Sequence, residues 1–353
     1  MANLSSFDRF KFIGSIKKGD EFHKVYTNDH MNSEIHTALF TLQSGNNYFN
    51  VEAQAFKPKS PYTKIKYFET GDKTAKEVNF GDRINVNTSN LDYRSPKFID
   101  LVADERFVHP YDFVMKIVNL LSSDQFKGFV YKVEGRIQRD YYTNKKGDRA
   151  VATKYIADLI EIMTPGTKPE SEVSLNLYLD GDCITRIDTD LAILTGKSVQ
   201  KARKKNPDGT YGYESFDVSV ELDLGKDNPD AVFDIFRRMY QGGTDTLKKI
   251  GFICEQINGS QEIAVTEDML TDDERELIKL GMATLEEYQE AYGNGKGEFE
   301  RRTKRIKDKR GYGGGAVDTE ITLADIDTVV KEESIVNPTP DNFKSAEDDD
   351  LPF

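Results

Sequence analysis

The chain has 353 residues, with 61 acidic and 48 basic side chains and a formal net charge of −13. This length allows two domains and a tail, and the 37% apolar and 31% charged content indicates that part of the chain does not pack into a core. With only two cysteines, the chain has no disulfide framework and no four-thiolate zinc site, which predicts a reducing, cytoplasmic location. It has no long apolar run, so we predict no signal peptide and no membrane span.

The negative charge is concentrated toward the C-terminal end. Residues 318–353 carry a net charge of −9 and residues 266–317 carry −2, which leaves only −2 for residues 1–265. Because the body is nearly neutral, the overall charge does not exclude binding to a nucleic acid.

A first β-rich unit is predicted over residues 1–110. Phe10, Phe12 and Gly14 open a candidate strand, and residues 35–42 and 48–56 predict a hairpin. In the second strand of that hairpin, Phe49 and its alternate neighbours share one face, and Tyr48, Asn50, Glu52, Gln54 and Phe56 share the other. Residues 111–121 have helical spacing after Pro110, which predicts a short helix between two β units.

A second β-rich unit is predicted over residues 125–265, with strands near 129–137, 154–163, 216–224 and 250–257. Asn228-Pro229 begins a helix that Gly242-Gly243 ends. Many short strands with one helix per unit favour a small Greek-key barrel used twice. The predicted class is mainly β, with tandem OB-fold-like barrels and short helices; one large β-sandwich is the alternative.

The composition changes after residue 266. Residues 266–310 are predicted as a helical segment followed by a basic one, and residues 311–353 as a disordered acidic tail. The basic segment contains Arg301, Arg302, Lys304, Arg305, Lys307, Lys309 and Arg310.

Three segments combine aromatic and basic side chains, as single-stranded nucleic-acid binding requires for base stacking and phosphate contact. The ordinary alternatives are a solvated hairpin tip, a charged loop and aromatic residues of the core. The predicted DNA-binding residues are Tyr62, Lys64, Lys66, Arg136, Arg139, Tyr141, Tyr142, Lys145, Lys146, Arg149, Lys197, Lys201, Arg203, Lys204, Lys205, Tyr211 and Tyr213.

The motifs typical of enzymes are incomplete. Gly196-Lys197-Ser198 resembles a phosphate-binding loop, but Leu191 stands where the motif requires glycine. Glycines at 293, 295 and 297 follow a predicted helix rather than a strand, and His23, His30 and His36 lack the partners of a zinc motif. We therefore predict a protein that is not an enzyme, without catalytic residues, metal or cofactor.

The last six residues form an ordered acidic and apolar tip, Asp348, Asp349, Asp350, Leu351, Pro352 and Phe353. An apolar pocket with a basic rim suits the ring and the terminal carboxylate. The tip resembles the C-terminus of bacterial single-stranded DNA-binding proteins, whose tails end in Asp residues, Leu or Ile, and Pro-Phe. In that family the tip recruits replication, recombination and repair enzymes. The resemblance covers these six residues and the run before them.

The resemblance implies a protein that coats and protects single-stranded DNA and recruits partner enzymes through residues 348–353. Cellular members usually have a single shorter OB-domain, so this chain departs from the pattern and its oligomeric state stays open. A bacteriophage or plasmid origin, with a location in the bacterial or host cytoplasm, accounts for the departure. The alternatives are an adaptor or decoy that captures host enzymes without binding DNA, and an accessory subunit of a DNA-processing enzyme.

Overall fold

The computed structural model describes residues 8–28, 32–100, 103–144, 147–207, 209–243, 246–262, 270–284, 287–288, 300–308, 314–318 and 321–328. Within these residues the chain is mainly β with short helices, which confirms the predicted fold class.

Residues 9–163 form strands and helices in the following order. They are β1 (Arg9–Lys17), β2 (His23–Asn28), β3 (Ser33–Ser44), β4 (Asn47–Pro58), β5 (Lys64–Tyr67), β6 (Lys76–Asn79), 3-10 helices at Phe80–Asn85 and Thr88–Asn90, β7 (Lys97–Ile99), β8 (Asp104–Arg106), α1 (Pro110–Ser122), β9 (Val130–Thr143) and β10 (Arg149–Met163).

The described residues after 169 continue with more strands and three further α-helices. They are β11 (Glu170–Leu179), β12 (Ile184–Arg186), β13 (Leu191–Lys205), β14 (Tyr211–Asp223), α2 (Pro229–Tyr240), β15 (Lys248–Glu262), α3 (Asp272–Lys279), β16 (Glu300–Asp308), β17 (Gly314–Asp318) and α4 (Leu323–Ile326).

The first barrel is a closed ring of five strands. Strand β1 pairs with β3, β3 with β4, β4 with β10, β10 with β9, and β9 returns to β1. The β4–β10 pair is parallel and the others are antiparallel, and α1 lies in the chain between the third and fourth ring strands. Five strands in a Greek-key ring are the arrangement of an OB-fold.

The second barrel repeats this connectivity. Strand β11 pairs with β13, β13 with β14, β14 with β16, β16 with β15, and β15 returns to β11. The β14–β16 pair is again parallel, and α2 again lies between the third and fourth ring strands.

These pairings divide the chain differently from the predicted units. Strands β9 and β10 were assigned to the unit over 125–265, but they close the first barrel by pairing with β1 and β4. The basic segment after residue 300, predicted to lie outside the barrels, supplies β16, which closes the second. Two parallel strands that are far apart in the chain cannot be recognised as partners from the alternation of apolar residues in each. The division between the barrels falls at residues 164–169, between β10 and β11.

Part of the predicted acidic tail packs against the second barrel. Strand β17 pairs with β15, and the buried Ile326 of α4 packs with Tyr178, Val199 and Leu247. Residues 311–313, 319–320 and 329–353 of that tail lie outside the described residues.

Alternate side chains along the strands point inward and fill the cores of the two barrels. On β4, Phe49, Val51 and Ala53 are buried, and the Phe49 ring stacks on Phe12 with centroids 3.9 Å apart. Helix α1 covers the first core with an apolar face, and His109 caps it because its Nδ1 accepts a hydrogen bond from the Tyr111 N–H at 3.2 Å. In the second barrel, Phe236 and Tyr240 of α2 are buried in the same way.

The two barrels share one sheet. Residues 9–13 of β1 pair with residues 170–174 of β11, and Asn47 of β4 lies opposite Gly259 of β15. A buried polar cluster strengthens the junction, since Ser198 Oγ of β13 donates to Asp8 Oδ2 at 2.7 Å and accepts from Arg139 Nη1 at 2.8 Å.

Residues 59–109 form an insertion between β4 and α1. Strands β5 and β6 make a separate two-stranded sheet, and β7 pairs with β10 at the edge of the main sheet. The insertion has a small apolar core of its own, formed by Ile65, Phe80, Leu91 and Val108.

Candidate nucleic-acid interface

The outer face of β2, β3 and β4 carries three half-exposed aromatic rings. Tyr26 lies opposite Ile35, and Ile35 lies opposite Phe56, so these residues form one row across three strands. Tyr48 lies on the same face of β4, eight residues before Phe56. The exposed fractions of Tyr26, Phe56 and Tyr48 are 44%, 43% and 42%. We call this surface the aromatic face.

Polar groups hold the aromatic face in a defined arrangement. Gln43 Nε2 donates to the Tyr48 hydroxyl at 3.1 Å, and Thr41 Oγ1 donates to Asn50 Oδ1 at 3.0 Å. The Lys17 ammonium lies 5.3 Å from the centroid of the Tyr48 ring. Exposed rings beside a cation are what base stacking with phosphate contact requires, and this face of an OB-fold is where such folds bind oligonucleotides.

The equivalent face of the second barrel has a different character. Lys197 is engaged with Asp217, with Nζ 2.6 Å from Oδ1, and the Thr195 and Ser219 hydroxyls are hydrogen-bonded at 3.2 Å. Further along, Asp223 adds another exposed carboxylate. The rings of this face lie toward the β13–β14 hairpin, where Tyr211 is exposed and Tyr213 is partly buried, and the middle of the face offers polar groups instead.

Tyr141, the first residue of the predicted loop at 141–149, packs against the second barrel. The Tyr141 ring stacks on the buried Phe216 with centroids 4.7 Å apart, and its hydroxyl donates to the Ser215 carbonyl at 2.7 Å. The Arg149 guanidinium lies 3.6 Å from the same ring centroid. Burial raises the pKa of the Tyr141 hydroxyl above its usual range. This ring is therefore part of the barrel junction, while Tyr142 stays partly exposed.

Two arginines on the strand that leads to this loop are already paired. Arg139 is only 5% exposed, and its Nη1 lies 2.5 Å from Asp8 Oδ2. Its guanidinium is engaged inside the protein with Asp8 and Ser198, and its contact with DNA stays a prediction. Arg136 lies 3.5 Å from Asp158 on the surface. Lys145 and Lys146 lie outside the described residues.

The segment from Lys197 to Tyr213 divides into an exposed and a packed part. Lys201 Nζ lies 4.4 Å from the centroid of the exposed Tyr211 ring at the end of the β13–β14 hairpin. Tyr213 instead packs on the cluster around Val199 and Ile326. The side chains of Arg203, Lys204 and Lys205 are not among those described.

The third predicted segment lies on the insertion. Tyr62 is 80% exposed just before β5, and Lys64 and Lys66 follow on one face of that strand. Their ammonium groups lie 3.6 and 3.9 Å from the Glu77 carboxylate, at the long end of ion-pair distances. These cations are largely exposed, so a phosphate can approach them.

The histidines do not assemble a metal site. His23 Nε2 lies 3.2 Å from His36 Nδ1, and His36 Nε2 lies 3.3 Å from Glu34. Across the described ranges, no group of three or more His, Cys, Asp or Glu side chains is placed to hold a metal ion, and no helix there is long and apolar enough to cross a membrane. His30 and the tip at residues 348–353 fall outside those ranges.

Sequence reasoning missed the aromatic face as a site. The available signal was Tyr48 and Phe56 on the solvent side of a strand whose other side carries Phe49 and Val51. Two large aromatic side chains on the solvent side of one strand indicate a binding surface. The sequence-based prediction instead selected segments rich in Lys.

No family model matches the chain, and no curated protein matches it. Among solved structures, it is similar to a deletion mutant of the single-stranded DNA-binding protein from Thermus aquaticus, at 10% identity and a TM-score of 0.31. The match covers 70% of this chain and 86% of the other. At this level of similarity we derive the function from the residues of this chain alone.

Proposed function

We propose that the protein binds single-stranded DNA without sequence preference and thereby coats and protects it. The observation that carries this proposal is the aromatic face, with Tyr48 and Phe56 half exposed on β4 of the five-stranded ring and Tyr26 half exposed on the adjoining strand β2. Stacking on such rings is tolerant of sequence because every base has a π-face.

Exposed cations and rings on the insertion and on the second barrel extend the proposed site. Tyr62, Lys64 and Lys66 follow β4 directly in the chain, and Lys201 with Tyr211 offers a second exposed contact on the other barrel. Tyr142, Arg149 and Lys197 belong to the proposed path with smaller contributions, since Arg149 and Lys197 already have partners.

A fluorescence titration with poly-dT at several salt concentrations tests the proposal. Binding that weakens linearly in log–log form with salt is expected, because the phosphates release counterions. Absence of binding at low salt would contradict it and favour the adaptor alternative. Metal-dependent turnover of labelled DNA would instead favour the accessory-enzyme alternative.

We further propose that residues 348–353 recruit DNA-processing enzymes of the cell or host. The tip itself supports this, with three carboxylates before a short apolar segment that carries a ring. The start of the tail is fixed on the second barrel, because Thr328 N–H donates to the Tyr213 carbonyl at 3.0 Å and Thr328 Oγ1 accepts from the Tyr213 N–H at 2.9 Å.

A further inference from the structure

Two histidines on neighbouring strands are joined at the edge of the first barrel. His23 Nε2 of β2 lies 3.2 Å from His36 Nδ1 of β3, and the two rings stack with centroids 5.4 Å apart. The other nitrogen of the second ring, His36 Nε2, lies 3.3 Å from Glu34 Oε2. His36 is buried and His23 is partly buried. We call His23 and His36 the histidine pair.

The hydrogen bonds around the histidine pair determine which ring nitrogens carry protons. Glu34 Oε2 also accepts from Lys57 Nζ at 2.9 Å, and the hydrogen bonds from Lys57 and then from His36 lower the pKa of Glu34. Because an ionised carboxylate only accepts, His36 Nε2 carries the proton of its contact with Glu34. In the neutral ring, His36 Nδ1 is therefore an acceptor, and His23 Nε2–H donates to it.

The histidine pair keeps its hydrogen bond while at most one ring is charged. When both rings are protonated, an N–H group on each faces the other, and the two positive charges repel. Burial, and in smaller part the charge of His36, lowers the pKa of His23. The closed pair therefore takes up its second proton less readily than two separated imidazoles do.

The charged groups near the histidine pair do not compensate for a second proton. Glu34 is the carboxylate in contact with the pair, and it shares its charge with Lys57 of β4. On the helix side, the Tyr111 ring of α1 meets the His36 ring edge-on, with centroids 5.0 Å apart. Other charged side chains on the neighbouring elements have ion pairs of their own, namely Arg83 of the insertion with Asp112 of α1 at 2.8 Å, and Lys24 of β2 with Glu21 at 3.0 Å.

Strand β2 is weakly held apart from this contact. Within the described part of the chain, β2 pairs with β3 alone, and Val25 and Tyr26 are 49% and 44% exposed. Successive residues of a strand belong to opposite faces, so His23 and Val25 lie on the side of β2 opposite to Tyr26. An edge strand with so much exposed surface opens locally at a low free-energy cost. The histidine contact thus contributes to holding the strand that positions Tyr26.

We propose that the histidine pair is an acid-sensitive latch, which holds β2 on β3 and releases β2, with Tyr26 of the aromatic face, when both rings are protonated. The effect of release on binding rests on the proposed function, whereas the release itself does not. Because the released strand binds one proton more than the latched strand, release becomes more favourable as the pH falls below 6.5, by up to about tenfold per pH unit.

Hydrogen exchange in the full chain tests the latch. Between pH 7 and pH 5, the N–H groups that bond β2 to β3 should lose protection, after correction for the intrinsic exchange rate, by up to about tenfold per pH unit below 6.5. In His23→Gln the side chain keeps an N–H donor that does not titrate, so this protection should stay constant. His109→Asn retains the histidine pair and is the matched control, with the same loss of protection as the unmodified chain.

Titrations with poly-dT test the effect on the aromatic face. At pH 7, His23→Gln should bind as tightly as the unmodified chain, and at pH 5 it should bind more tightly. The difference at pH 5 should disappear when both chains also carry Tyr26→Ala. Thermal unfolding verifies the fold of each variant. A histidine side-chain NMR titration of the unmodified chain needs no substitution, and it should give two separated protonation steps for His23 and His36.

The outcomes separate the latch from the proposed function. The same loss of protection in His23→Gln, or independent protonation of the two rings at one pH, overturns the latch. Equal affinities of the unmodified and His23→Gln chains at pH 5 overturn its effect on the aromatic face. Failure of the unmodified chain to bind poly-dT at pH 7 overturns the proposed function, and hydrogen exchange then decides the latch alone.

Discussion

Arg139 and Asp8 form a buried ion pair, 2.5 Å from Nη1 to Oδ2, that ties the residue before β1 to the strand that closes the first barrel. Asp8 also accepts from the Asn176 N–H of β11 at 2.9 Å, and Gln200 of β13 exchanges hydrogen bonds with the Arg139 backbone. One arginine thus joins elements of both barrels.

Removal of Arg139 is expected to destabilise the whole chain. The change Arg139→Met leaves the Asp8 carboxylate buried without its ionic partner, which costs about 3–5 kcal/mol of unfolding free energy. Denaturant unfolding measures this, and Lys127→Ala, which loses an exposed pair with Asp124, is the control with an expected cost of about 0–1 kcal/mol. The double change Asp8→Leu with Arg139→Met should cost less than the sum of the single changes; additive effects would show that the pair is not coupled.

Loss of the rings of the aromatic face is expected to weaken DNA binding without unfolding the chain. If Tyr48 and Phe56 each stack on a base, changing both to Ala costs about 2–6 kcal/mol in poly-dT affinity, at 1–3 kcal/mol per base. Phe129 is also 42% exposed but comes just before β9, outside the strands β2, β3 and β4 that form this face, so Phe129→Ala serves as the control. Equal losses in the two variants would argue against stacking at the aromatic face.

Tyr141 is expected to affect stability rather than binding. The change Tyr141→Phe removes the hydrogen bond to the Ser215 carbonyl and keeps the stack on Phe216, at a cost of about 0.5–1.5 kcal/mol in unfolding free energy. Its poly-dT affinity should match that of the unmodified chain. A loss of affinity without a loss of stability would restore Tyr141 as a DNA contact.

His109 is expected to make the fold sensitive to mild acid. The pKa of His109 is lowered from 6.5 to about 4, mainly by burial and in smaller part by the nearby Arg83, while Asp112 acts in the opposite direction. The unfolded chain therefore binds a proton between pH 6.5 and 4 that the folded chain does not, and stability falls as the pH falls through this window, by up to about 3 kcal/mol.

Protonation of Nδ1 also removes the acceptor that caps α1. Asparagine is a good helix cap that does not titrate, so His109→Asn should flatten the dependence of unfolding free energy on pH between 4 and 6.5. The same slope in both proteins would assign the acid sensitivity to another group.

Deletion of Phe353 is expected to abolish capture of partner enzymes at any salt concentration, because it removes the ring that would fill an apolar pocket of the partner. Changing Asp348, Asp349 and Asp350 to Asn should weaken capture mainly at low salt, since salt screens longer-range attraction. Pull-downs from bacterial extract compare the variants, with poly-dT affinity as the control that neither change should lower. Recovery of the same partners by the intact and truncated chains would show that the tip has no role.

Local patterns predicted much of the fold, but not its closure. The alternation in β4 and β14 and the helical spacing of α1 follow periods that a short window contains. The parallel pairs β4–β10 and β14–β16 depend on partners about 100 residues apart along the chain, so the boundary between the barrels was misplaced. Tyr141 and Arg139 are residue types that are typical of a DNA-binding loop. The structure shows that they are packed, because Phe216 of β14 and Asp8, both distant in the chain, contact them.

The pairing of β1 with β11 has a consequence for the order of folding. Within the first barrel, residues 9–13 of β1 have β9 on one side only, and β11 supplies the partner on the other. During synthesis this edge of β1 stays unpaired until roughly 160 further residues have been made. The backbone groups of an unpaired strand edge can pair with other chains. A fragment that ends at residue 163 should therefore self-associate through the exposed edge of β1. In the full chain, β11 of the second barrel covers this edge and prevents such association.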